Sequence, residues 1–305
     1  MEWHSAARAF LEHLRQSRGS TDNTIMAYRN DLSQFTSFLG ERMPLGARWD
    51  QVTFEVLQAF VYEYLVPQKY TTSTIARKLA ALRAFFKWLR QTGHIHEDPA
   101  LHLQSPKVER RQPRLLSEYE VRALFEATAS ASPSRARRDR ALLEVLYATG
   151  MRVSEAINLR LEDLDLEHGE VRCIGRGQRT RVMRLTPSAV EALKAYLEQR
   201  EPGLEAQGQC EFVFLNPRGD RLTRQAVWQI TRQYAQMAGI SGEMTPHTLR
   251  HSRAAHLILA GMDVRQVREW LGHANLSTTQ LYRQRLFSSN GASEPAEAHA
   301  RELVR

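Results

Sequence analysis

The sequence predicts a mainly helical chain in two parts, the second of which carries a small β-hairpin or sheet. Three observations predict it. Apolar residues recur at helical spacing through most of the 305 residues, most regularly from Thr72 to Gln91, where Ile75, Leu79, Leu82, Phe86 and Leu89 form one stripe. Strand character is concentrated in GEVRCIG and RTRVMRL, two short runs about the turn Gly175–Arg176–Gly177–Gln178. The stretch SPKVERRQPR, residues 105–114, joins two prolines to a run of charge without periodicity and reads as a linker. The expected division is a helical unit over 1–104, the linker over 105–114, and a second unit over 115–305. A chain of this length suits about two domains, each with ample core.

The elements follow in order. Residues 2–18 form an amphipathic helix stopped by Gly19. Thr21 or Asp22 caps a second, with Ile25, Tyr28, Leu32, Phe35 and Leu39 on one face before Gly40. A third is expected from about Thr53 to Val66, and the fourth is Thr72–Gln91. In the second part, Ser117 with Glu120 makes a capping box for a helix through about Thr128. A helix from Arg135 to Ala148 ends at Gly150, and Arg152 begins another with Glu155 one turn on. Beyond the hairpin come helices over Pro187–Gln199 and Thr223–Ala238, with a short FVFL strand between them.

Net charge is +8 with +4 in each part, which suits a polyanionic partner for both. From Tyr64 to His96 there are six Lys or Arg and no acid, and residues 171–190 hold five arginines and no acid. A solvated face mixes signs, so both stretches read as phosphate-facing. The candidate contacts are Arg77, Lys78, Arg83, Lys87 and Arg90 on the fourth helix, with Arg179 and Arg181 on the hairpin. Cys173 and Cys210 have no metal-ligand or disulfide spacing, so no metal site is indicated. There is no Walker loop and no acidic constellation suited to Mg²⁺, and no cofactor is expected. No apolar run reaches membrane-spanning length and no signal-peptide pattern opens the chain, so the cytoplasm is the expected location.

The chemistry-bearing stretch is Thr245–Tyr282. Thr245 and Pro246 open a helix that places His247 and Arg250 on one face of its first turn, where free N–H groups favour a phosphate. A short helix, Asp263–Leu271, stops at Gly272 and leaves His273 just outside it. Ser277 then caps a final helix carrying Tyr282. Taken singly, each has a commoner role: a cap or surface group for His247 and His273, a packing residue for Tyr282, a surface charge for Arg152. Together with Arg152 in ATGMRVSE, the set suits gripping a phosphodiester while a tyrosine attacks it.

ATGMRVSE, HTLRHS, LGH and STTQLY, in that order, resemble the tyrosine recombinase (integrase) family, and within it the XerC/XerD-like group. The resemblance covers nearly the whole chain. It implies a helical, SAM-like core-binding domain that clamps one side of a DNA duplex, followed by an α+β catalytic domain. It also implies roles. Arg152 and Arg250 hold the non-bridging oxygens, His247 acts as base or donor, His273 is a further donor, and Tyr282 is the nucleophile. The implied partners are double-stranded DNA, a homo- or hetero-tetramer with a second recombinase on two sites, and a DNA translocase as regulator. The implied task is resolution of chromosome or plasmid dimers at cell division. The chain starts directly with the core-binding helices, which favours a resolvase over an integrase of a mobile element.

The sequence departs from the family at the hairpin turn. Family members read G-K-G-N-K there, the first lysine being the general acid; here the turn reads G-R-G-Q-R, and Arg176 holds the lysine position. No lysine lies between Lys107 and Lys194 to replace it. Arginine is a far poorer acid, which leaves open a catalytically weak DNA-binding partner of a second recombinase. Shared chemistry leaves open a relaxing enzyme of the type IB topoisomerase kind. Arg253 stands where an aromatic is usual, and RQR follows Tyr282 where THV or similar is usual. Both departures bear on how the C-terminal tail docks rather than on the chemistry.

Overall fold

The computed structural model describes residues 3–18, 22–107, 114–175, 180–200 and 211–272. The chain divides into two compact units, Met1–Arg111 and Gln112–Arg305.

The first unit is helical throughout. Helices α1 (Trp3–Arg18), α2 (Asp22–Arg42), α3 (Phe54–Ala59) and α4 (Thr72–Gln91) enclose an aromatic core. Phe35 meets Phe60 at 5.0 Å, Phe10 meets Phe85 at 5.3 Å, and Trp49 meets Phe85 at 5.0 Å between ring centroids, all edge-on. Such pairs add about 0.5–1.5 kcal/mol each beyond the area they bury. Helix α2 runs through Gly40 to Arg42 rather than stopping at the glycine. The expected third helix is two pieces, because α3 passes into a π-helical turn over Phe60–Leu65. Residues five apart diverge around an α-helix; the wider turn brings Phe60 and Leu65 to the same core, where both are buried.

The second unit is built on α6 (Pro133–Thr149), which packs against α8 (Pro187–Leu197) on one side and α10 (Pro246–Leu259) on the other. Its residues Ala141, Leu142, Leu143, Val145 and Leu146 are all buried, as befits a helix covered on several faces. Helices α5 (Glu118–Glu126), α7 (Val153–Ala156), α9 (Arg224–Met237) and α11 (Val264–Leu271) complete the helical set among the described residues. The starts follow from side-chain caps. Ser117 accepts from the Glu120 N–H while Glu120 accepts from the Ser117 N–H, and Thr245 and Asp263 cap α10 and α11.

The sheet is antiparallel, in the order β1 (Leu164–Asp165), β2 (Glu170–Ile174), β3 (Thr180–Arg184). The β2–β3 register runs from Glu170 opposite Arg184 to Ile174 opposite Thr180. Strand β1, at two residues, is too short to leave a sequence signal. FVFL, expected as a strand, forms only isolated bridges, Arg160 with Phe212 and Leu215 with Arg221. Its backbone bonds go to irregular segments, as in Val213 N–H to the Leu159 carbonyl at 2.8 Å.

Candidate active site

Two glycines set the frame. Gly150 closes α6 and Gly272 closes α11, both in the left-handed conformation with φ of 60° and 63°. A Cβ on Gly150 would lie 2.5 Å from Leu271 Cδ2, so only glycine lets α11 pack this closely on the end of α6. Trp270 reinforces the junction by donating its indole N–H to the Thr149 carbonyl at 3.0 Å.

Three arginines converge on the end of α11. Arg181 donates Nε to the Trp270 carbonyl at 3.0 Å, Arg250 donates Nη2 to Leu271 at 2.6 Å, and Arg152 donates Nη2 to Gly272 at 2.7 Å. These are the terminal carbonyls of a helix, which lack intrahelical donors and carry the negative end of its dipole. Arg250 is buried and also donates Nη1 to the Gly150 carbonyl at 2.5 Å. One site thus gathers arginines from β3, α10 and the N-cap of α7.

Glu155 organises two of them. Its carboxylate accepts from Arg152 Nη1 at 3.0 Å, from the Arg152 backbone N–H at 2.7 Å, and from Arg181 Nη1 and Nη2 at 3.2 and 2.8 Å. Burial raises its pKa, but the Arg181 hydrogen bonds, the Arg152 N–H and the two guanidinium charges outweigh that and hold it below the usual carboxylate range. One carboxylate among three arginines leaves the site net positive, suited to a phosphate.

Two histidines lie on α10 beside this cluster, their ring centroids 6.3 Å apart. Desolvation lowers the His247 pKa, and the charges of Arg250 and Arg152 lower it further. Burial, His247 and Arg250 push His251 down to about 4. At neutral pH both imidazoles are uncharged, so His247 can accept a proton or donate its remaining N–H.

The structure therefore brings Arg152, His247 and Arg250 together. Arg176, Arg179, His273 and Tyr282 lie outside the described residues, as do the tail from Ser293 to Arg305 and Cys210. Among the described residues no three His, Cys, Asp or Glu side chains group as metal ligands, and no helix is long and apolar enough to cross a membrane.

The expected DNA contacts divide. Lys87 and Arg90 are exposed on α4. Lys78 is not a phosphate contact, because it is buried at 4% exposure, with its ammonium 3.0 Å from Asp31 Oδ1 and 2.6 Å from Gln34 Oε1. Arg77 pairs with the same Asp31, and Arg83 is half-buried and donates to the Ser105 hydroxyl. Arg181 is turned inward to Glu155 and α11 rather than outward to a backbone phosphate. Sequence reasoning missed this inward role and missed His251, although its position one turn after His247 in HTLRHS was a usable signal.

Arg253 is buried with its guanidinium 5.6 Å from the Tyr147 ring centroid. Its Nε and Nη1 have no hydrogen-bond partner among the described residues. The cation thus sits in the packing of α10 against α6.

Comparison with known proteins places this arrangement. The phage integrase family profile matches residues 114–288, and that of the phage integrase N-terminal SAM-like domain matches residues 7–93. Tyrosine recombinase XerC of Roseiflexus sp. (strain RS-1) is 42% identical over 297 residues, covering 97% of this chain and 94% of that protein. Tyrosine recombinase XerD of Oceanobacillus iheyensis is 39% identical over 278 residues, covering 91% and 92%. Among solved structures, XerA recombinase superposes with a TM-score of 0.51 at 26% identity, over 95% of this chain and 99% of that one. XerH site-specific recombinase bound to palindromic difH substrate gives a TM-score of 0.72 at 22% identity, over 93% and 83%. The two-unit, mainly helical architecture with a small antiparallel sheet is that of these enzymes, and the chain belongs to the phage integrase family, the tyrosine recombinases.

Proposed function

We propose that this enzyme exchanges strands between specific DNA sites in the Xer manner, with Tyr282 as nucleophile. The observation that carries the reading is the convergence of Arg152 and Arg250 on the end of α11 beside a neutral His247. It is supported by the motif that sets His273 directly after Gly272 and Tyr282 nine residues later. In this reading residues 1–104 hold the duplex, 105–114 link the units, and 115–305 carry the chemistry.

The Tyr282 oxygen attacks the phosphorus, its proton passes to His247, and the 5′-oxygen leaves and takes a proton from water. Ionising a tyrosine at neutral pH costs roughly 4 kcal/mol from its pKa near 10. Arg152 and Arg250 offset part of this, and they neutralise the non-bridging oxygens as charge grows on them. Each preorganised donor of this kind is typically worth about 2.7–4 kcal/mol. His273 serves as a further donor to those oxygens. The product is a 3′-phosphotyrosyl link and a free 5′-hydroxyl. Because the link keeps the energy of the broken ester, a second 5′-hydroxyl reverses the step on a new strand without ATP or a metal.

Arg176 is the poorest candidate for protonating the leaving oxygen, since a guanidinium does not give up its proton near neutral pH. It serves in this reading as a phosphate or base contact. Exchange between two duplexes requires four active sites, supplied by copies of this chain or by this chain with a companion recombinase. A DNA translocase is the fitting regulator, and the cytoplasm the fitting location, for an enzyme acting on the chromosome. The test is exchange between two duplexes bearing the same core site, with a chelator present and no nucleotide. Recombinant products are expected; relaxation of supercoils without recombinants would contradict the reading.

A further inference from the structure

We infer that Arg181 is a positioning residue for cleavage, acting through Glu155 and the end of α11, and not a contact to the DNA backbone. The inference rests on the strand-exchange reading above and adds a residue to it.

Arg181 stands on β3 directly opposite Cys173 on β2, so both side chains point to one side of the sheet. That side faces Glu155. Burial, and next the charge of the Glu155 carboxylate, push the Cys173 thiol pKa up to about 12, so it stays protonated. The Arg181 guanidinium lays two donors on Glu155, at 3.2 and 2.8 Å, while its Nε holds the Trp270 carbonyl at 3.0 Å. Its side chain is 16% exposed and that of Glu155 is 5% exposed. A Cβ on Gly272 would lie 3.0 Å from Arg181 Nη1, so the guanidinium fills the space that the helix-ending glycine leaves open.

Glu155 has two oxygens and two arginines to serve, and Arg181 fixes the plane of the carboxylate that Arg152 must meet. Arg152 in turn presents its remaining N–H donors to the phosphate. The same guanidinium pins Trp270 at the end of α11. Arg181 therefore joins the hairpin strand, α7 and α11 at one point. Only a planar fork with five donors makes all these bonds at once; a lysine ammonium carries the charge but cannot span both partners.

The test uses the full chain with Arg181→Lys and Arg181→Met, each checked for an unchanged melting temperature. Single-turnover cleavage of a nicked site is measured with a normal scissile phosphate and with a methylphosphonate there, which lacks the charge that Arg152 neutralises. Salt dependence of binding is measured beside it. A positioning role predicts cleavage of the normal phosphate slowed on the order of 100-fold in both variants, as for misplacement of a reacting group by about 1 Å. It predicts a much smaller defect on the methylphosphonate and an unchanged salt slope. If the methionine variant does not fold, the lysine variant decides alone: a simple phosphate contact would survive that change, and a positioning role would not. A slope reduced by about 0.9 in Arg181→Met, an equal defect on both substrates, or full activity in Arg181→Lys would each overturn the inference. Wild type that forms no covalent complex on the normal phosphate would instead refute the strand-exchange reading itself.

Discussion

Arg250 donates to the Leu271 carbonyl at 2.6 Å, while the Leu271 side chain packs where a Cβ on Gly150 would stand, 2.5 Å from its Cδ2. Since Arg250 also donates to the Gly150 carbonyl, the guanidinium and the helix junction position each other. A buried arginine held by two carbonyls has a fixed direction, which is what a phosphate-binding site requires.

Gly150→Ala should therefore damage both stability and chemistry. The left-handed backbone costs an alanine about 1–2 kcal/mol, and the new Cβ displaces Leu271 and with it Arg250. Gly239→Ala is the control, because Gly239 has φ of +67° with nothing within 4 Å of a Cβ. Both variants are expected to lose stability in denaturant melts, but only Gly150→Ala should slow single-turnover cleavage, on the order of 10- to 100-fold. Equal cleavage rates in the two would separate the junction from the active site.

The buried histidines make stability depend on pH. His251 titrates near 4 in the fold against an ordinary 6.5, and His247 and His256 are lowered as well, His256 chiefly by burial. Between those values the unfolded chain binds protons that the fold refuses. Stability is then full above pH 6.5 and is lost as the pH falls toward 4. His251 alone accounts for a loss on the order of 3 kcal/mol. Denaturant melts at pH 7.5, 6 and 5 (roughly spanning this window) should show the decline, and His251→Asn should flatten it. A decline identical in the variant would exclude His251 as its source.

Arg253 is a buried cation whose Nε and Nη1 have no hydrogen-bond partner among the described residues, offset only in part by the Tyr147 ring. Exchanging a buried charge for a well-packed apolar group is commonly neutral or stabilising by about 1–4 kcal/mol. Arg253→Phe should raise the denaturant midpoint. A lower midpoint would mean that the cation–ring contact outweighs the desolvation of the guanidinium.

On α4, Lys87→Ala with Arg90→Ala should flatten the salt dependence of DNA binding by about 0.9 in the log–log slope for each phosphate left unneutralised. Lys78→Met should leave the slope alone and lower stability, by about 1.5–3 kcal/mol for the lost charged hydrogen bond, because it leaves the buried carboxylate of Asp31 to Arg77 alone. A slope change in Lys78→Met would restore it as a DNA-binding residue.

Local signals made much of the fold legible. Ser117 with Glu120, Thr245 and Asp263 announce helix starts, Gly150 and Gly272 announce ends, and the Arg152–Glu155 pair lies within one turn. Lys78 misled because charge was weighed above position. It lies three residues after Ile75 and four before Leu82, on the apolar stripe itself, and its partner Asp31 is 47 residues away, beyond any spacing rule. Arg181 misled for a related reason. Its acceptors include the backbone carbonyl of Trp270, 89 residues on, and a backbone carbonyl has no sequence signature. The π-helical turn at Phe60–Leu65 and the lone bridges of Phe212 and Leu215 are tertiary outcomes, set by what packs against them. Arg152, His247 and Arg250 were legible in sequence as a motif, and the structure adds the carbonyls and the carboxylate that aim the two arginines.

The central claim is that Tyr282 forms the covalent link to DNA. A nicked suicide substrate, from which the cleaved strand diffuses away, should trap a protein–DNA adduct with wild type and none with Tyr282→Phe. Binding should persist in the variant, since one hydroxyl adds little to a large phosphate-contacting surface. Peptide mapping of the wild-type adduct is expected to place the 3′-phosphate on Tyr282. An adduct that survives in Tyr282→Phe and maps to another residue would contradict the account.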